Sequence, residues 1–104
     1  MNEKLIEEIF TEIKAERKRQ NEKWGEQNHP DGTGGKEYEA LAALARKNCD
    51  SATRYNECTW RHILTEEFAE ALAESDESKL KTELIQTAAV IFAWLEAIER
   101  RHGK

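Results

Sequence analysis

Four stretches of this chain carry apolar residues at helical spacing, and only one connection between them is rich in helix breakers. That connection, "WGEQNHPDGTGGK", holds the sole proline and four of the five glycines. Apolar residues three and four apart define one face of a helix, whereas strands need strict alternation. The chain is therefore expected to be all-α. Leu5, Ile6, Ile9, Phe10 and Ile13 predict a first helix from about residue 3 to about residue 22. The breaker-rich connection then reads as a loop of about a dozen residues, a length that compact domains usually reserve for function.

A second helix is expected from near Glu37, with Tyr38, Leu41, Leu44 and Ala45 on its inner face, ending before "YNECT". Thr59 is a candidate N-cap for a third, which carries Trp60, Ile63, Leu64, Phe68, Ala71 and Leu72. "ESDES" interrupts the pattern. Ser75 or Asp76 then caps a fourth helix running to about Arg101, with Leu80, Leu84, Ala88, Ile91, Leu95 and Ile98 as its stripe. Four helices with short connections predict a four-helix bundle, and 104 residues predict a single domain over residues 1–104. Between Ala88 and Leu95 the last helix is apolar nearly all round, which three neighbours in so short a chain do not cover. The bundle is thus expected to be completed by dimerisation.

Charge and hydropathy exclude several classes of function. A net charge of −5 argues against a general nucleic-acid binder, which needs a basic surface. The longest apolar run, "AAVIFAWL", falls far short of the roughly 20 residues of a membrane span. The N-terminal "MNEKLIEEIF" has no apolar segment of signal-peptide length, so a cytoplasmic setting and free thiols at Cys49 and Cys58 are expected. No cysteine and histidine spacing suits zinc.

The third and fourth helices pose a sharper question. Glu67 lies about 60° from the centre of the third helix's apolar arc, between Trp60 and Ile63. Glu70 and Glu74 share its edge, whereas Glu66 should point to water. Glu83 shares an edge of the fourth helix with Thr87, Val90 and Trp94, and Gln86 lies three residues on. Carboxylates brought to an apolar face lose hydration and repel one another. A cation between them reverses that cost, and oxygen donors select a hard ion such as magnesium. The bland alternative is a solvated glutamate-rich face.

"EEFAE", twelve residues and "ELIQ" together resemble the signature of the MazG-like nucleoside triphosphate pyrophosphohydrolases, ExxE followed by ExxD on two helices of a bundle. More loosely, "ERKRQNEKWGEQNHPDG", "TWRHILTEEFAEA" and "LKTELIQTAAVIFAWLEAI" are similar to small stand-alone members. The resemblance implies that Glu67, Glu70, Glu83 and Gln86 hold Mg2+, with Mn2+ as the alternative ion. It also implies hydrolysis of (deoxy)nucleoside triphosphates to the monophosphate and pyrophosphate, in nucleotide-pool house-cleaning, by a homodimer or homotetramer. Gln86 departs from the pattern, since its carbonyl can ligate magnesium without bringing charge.

Glu67 and Glu70 are the candidate catalytic residues, and Glu67 is favoured as base because its apolar surroundings should raise its pKa. Trp24, His29 and Trp60 are candidates for the base of the nucleotide, although tryptophan on an amphipathic helix is more often core. Lys79 heads the cations that could meet phosphate, beside Lys81, Arg17, Arg46, Lys47 and Arg61. His62 and His102 read as surface residues. Gln86 favours a competing reading, a catalytically impaired helical dimer that binds nucleotide or regulates. A third reading takes a phosphoribosyl nucleotide as substrate.

Overall fold

The computed structural model describes residues 1–103 as four helices, with no strand among them. They are α1 (Glu3–Trp24), α2 (Lys36–Arg54), α3 (Trp60–Ala73) and α4 (Glu77–Arg101). The chain forms two compact units, Met1–Asp31 with Phe92–Lys104, and Gly32–Ile91. Among the described residues, no helix is long and apolar enough to cross a membrane.

Helix ends follow the local chemistry of the sequence. Asn2 caps α1, its side chain accepting the Leu5 amide at 3.1 Å. Thr59 caps α3 in a reciprocal box: its hydroxyl accepts the His62 amide at 3.3 Å, and its own amide donates to His62 Nδ1 at 3.1 Å. His62 is thereby half-buried and engaged, not the free surface residue expected. Of the two candidates before α4 it is Asp76 that caps, its carboxylate accepting the Lys79 amide at 3.0 Å. The Ser78 hydroxyl and that amide hold the Asp76 carboxyl below the usual carboxylate range. At the other end of α2, Asn56 takes φ 61°, while Glu57 donates to Ala52 O at 2.7 Å and Asn56 to Thr53 O at 3.2 Å. This is the left-handed stop that asparagine tolerates.

In the first unit, Leu5 and Ile9 are the buried residues of α1. The Phe10 and Phe92 rings meet at 5.7 Å in a tilted pair.

In the second unit, α2 and α3 pack antiparallel on alanines. Ala42, Ala45 and Ala69 form the core, with Ala73 against it, and Cys49 and Ala52 continue the buried line of α2. Ala45 is buried and Tyr38 half-buried as expected, but the two leucines correct the expected inner face. Leu41 and Leu44 are 48% and 54% exposed, and Phe68 of α3 is 50% exposed. Small side chains let two backbones approach closely, so the alanine stripe wins the contact and the leucine stripe, rotated from it, is left open. On α4 the inward line begins with Leu80, 7% exposed, and Thr87, 6% exposed, with Glu83 half-buried between them. Of the expected stripe, Leu80 is buried and Leu95 and Ile98 are half-buried, while Leu84, Ala88 and Ile91 lie exposed.

The glycine-rich connection is fastened at its end. Gly34 donates its amide to Leu72 O at 2.8 Å, satisfying a carbonyl at the C-terminus of α3. Its φ is +91°, and a Cβ there would stand 2.9 Å from Ser75 Cβ. Both facts require glycine.

Candidate metal centre

Glu67 and Glu70 stand one turn apart on α3, and Glu83 comes from the first half of α4. One carboxylate oxygen from each lies within 4.8 Å of the others, and all three residues are half-buried. Glu67 Oε2 and Glu83 Oε2 are shielded from solvent and accept no hydrogen bond. Glu70 Oε1 meets Arg46 Nη2 of α2 at 3.3 Å. One guanidinium against three carboxylates leaves the cluster negative when all are ionised.

Burial pushes Glu67 above the usual carboxylate range, and the charges of Glu70, Glu83 and Glu66 push it further the same way. Such a cluster is unfavourable as it stands, because an orphaned buried oxygen has lost water without replacement. The two orphaned oxygens are the test of fit for a cation. They are hard donors, already desolvated, on residues whose carboxylates converge, and they suit a divalent hard ion that retains water on its open side. Glu70 and Glu83 also line a cavity of about 340 Å³, together with Glu39, Ala42, Ala43, Arg46, Ala73 and Glu74. An ion held there has open space beside it.

The other candidate residues are dispersed. Gln86 is exposed, one turn beyond Glu83 on α4. Trp60 is half-buried in the first turn of α3 and lies two turns before Glu67, close to the same line of the helix. Lys79 is exposed in the first turn of α4, its amide committed to the Asp76 cap. Trp24 closes α1, 56% exposed, with the Lys23 ammonium 4.8 Å from its ring centroid. His29 is exposed in the long connection. Trp24 and His29 belong to the first unit, and the three carboxylates to the second.

Two residues escape a reading of the helical wheel. Glu66, expected in water, is half-buried and lies near the thiol of Cys49 on α2. Its carboxylate, with burial and the nearby Cys58 adding to the effect, pushes the Cys49 thiol up to about 12. Arg46 is the other: only the antiparallel register of α2 on α3 brings it opposite Glu70.

The fold and the site define an all-helical protein with a three-carboxylate cluster shared by two helices. No family model, curated protein sequence or solved structure matches the chain.

Proposed function

We propose that this protein is a divalent-cation-dependent hydrolase of nucleoside triphosphates, of the MazG-like kind, releasing the monophosphate and pyrophosphate. The observation that carries the reading is the pair of desolvated, unpartnered oxygens on Glu67 and Glu83 within a cluster that also includes Glu70. Glu67, Glu70 and Glu83 would hold magnesium, with the Gln86 carbonyl as a further donor. The ion would neutralise phosphate charge and acidify the attacking water.

The chain's own part is positioning and proton transfer. Glu67, half-buried in the cluster, orients a water against the α-phosphorus and takes its proton. Glu70 and Glu83 bring carboxylates to the cluster from two helices, so the geometry depends on both α3 and the first half of α4. The half-buried face that begins at Trp60 lies two turns from Glu67 and offers an apolar wall to the nucleotide. Trp24 and His29 complete the set of candidate base contacts.

A second reading rests on Gln86, which is uncharged and exposed where a fourth carboxylate would strengthen cation binding. In that reading the chain binds nucleotide without turning it over. Pyrophosphate release from a panel of ribo- and deoxynucleoside triphosphates, with magnesium, with manganese and with chelator, separates the two. Cation-dependent release, reduced about 10²–10⁴-fold in Glu67→Gln, supports the hydrolase. Nucleotide binding without release supports the module, and the absence of both removes the reading.

We also propose that the working form is a homodimer or higher homo-oligomer. Its support is the open apolar face of the second unit, where Tyr38, Leu41, Leu44, Phe68 and Leu72 border a groove of about 240 Å³.

A further inference from the structure

We propose that Arg46 is the resident counter-ion of the carboxylate cluster: a positioning residue that holds Glu70 while no cation is bound and turns to the phosphate chain once one is. The inference rests on the reading of Glu67, Glu70 and Glu83 as a divalent-cation site. It assigns a role that the sequence pattern gives to no particular cation.

Three observations carry it. Arg46–Glu70 joins two helices, whereas Arg19–Glu16 and Arg100–Glu96 are local pairs within one helix. The contact is a single one at 3.3 Å, between a guanidinium that is 57% exposed and a carboxylate that is 25% exposed. A committed arginine–carboxylate pair is shorter, about 2.7–2.9 Å, and often two-pronged. Arg46 is therefore held loosely enough to be displaced. Finally, Arg46 is the only basic residue among those lining the cavity beside the cluster, whose acidic walls are Glu39, Glu70, Glu74 and Glu83.

The electrostatics then set an order of events. A polyphosphate cannot enter a cavity walled by carboxylates until their charge is offset. Arg46 alone does not offset it, because four carboxylates wall the cavity against one guanidinium. With a divalent cation bound most of that charge is offset, and the guanidinium, displaced from Glu70, is free to turn into the same cavity. A planar fork of N–H donors matches two phosphate oxygens better than it matches the one Glu70 oxygen it holds now. Arg46 thus opposes the cation when no anion is present and favours the anion once the cation is in. Linkage makes that coupling reciprocal.

The experiment compares the wild type, Arg46→Gln and Arg46→Lys at pH 8, each checked for native helicity by circular dichroism. Binding of Mn2+ alone is followed by the loss of the free-ion paramagnetic resonance signal. Binding of the preformed Mn2+–imidodiphosphate complex is followed by calorimetry. Arg46→Gln should bind Mn2+ alone on the order of two- to fivefold more tightly, the span expected for losing one exposed ion pair. It should bind the complex about tenfold more weakly. Arg46→Lys, which keeps the charge but not the fork, should match the wild type for Mn2+ alone and still bind the complex more weakly. Equal or weaker Mn2+ binding by Arg46→Gln overturns the counter-ion role, and unchanged affinity for the complex overturns the phosphate role. A wild type that takes up no Mn2+ overturns the cation site itself and this inference with it.

Discussion

Glu67 sits where two demands conflict. Its helix face is apolar, and its nearest charges are carboxylates, so without a cation burial and those charges hold its pKa above the usual carboxylate range. A raised folded-state pKa contributes stability below the ordinary value of 4.5, and that contribution is lost as pH rises through the raised value. In chelator, the wild type should therefore melt at a progressively lower temperature than Glu67→Gln as pH climbs from 4.5 through the raised value. Saturating magnesium should close that gap by giving the ionised form a partner. Melting curves of both proteins, with and without magnesium, decide it. Parallel profiles in chelator would mean that the carboxylate is not desolvated. The sequence predicted this environment from the angle of Glu67 on its helix. It gave no such notice for Glu66, because the Cys49 thiol near it lies on another helix, seventeen residues earlier in the chain.

At the scale of elements, the helix ends were the most legible part. Thr59, Asp76 and the stop before Tyr55 act through bonds spanning three to five residues, so local order suffices to find them. The face each helix turns inward was less legible. Both the alanine line and the leucine line of α2 have helical spacing, and hydropathy alone gives the leucines more weight. Closeness of approach decided for alanine at Ala42 and Ala45. Ala45→Leu should then force α2 from α3 and cost about 1–3 kcal/mol, read by urea denaturation. Gly34→Ala should cost a similar amount, about 1–3 kcal/mol, because the left-handed backbone and the 2.9 Å approach to Ser75 both oppose a Cβ. A neutral result at Gly34 would show that the loop end can leave Leu72 freely.

For the whole molecule, the decisive fact is how little bulk is buried. The buried apolar residues are mostly alanines, with Leu5, Ile9 and Leu80 as the large exceptions. Meanwhile Leu41, Leu44, Phe68, Leu84, Ile85 and Ile91 of the second unit are each 42% to 60% exposed. Such exposed apolar side chains are what the proposed self-association would cover. Light scattering at micromolar concentration should find at least a dimer. A charge placed on the face, as in Leu44→Glu or Phe68→Glu, should weaken association tenfold or more, since burying one such side chain is worth about 1.5–3 kcal/mol. A monomeric wild type at that concentration would refute self-association.

By itself the sequence determined the helices, their caps and the order of the acidic residues, because each depends on neighbours within a turn or two. Only tertiary structure decided that alanines would carry the α2–α3 contact, that the leucines would be left outside, and that Arg46 would reach Glu70. Those outcomes depend on the register between helices, which is set by how closely their backbones can approach and leaves no mark in the spacing of either helix alone.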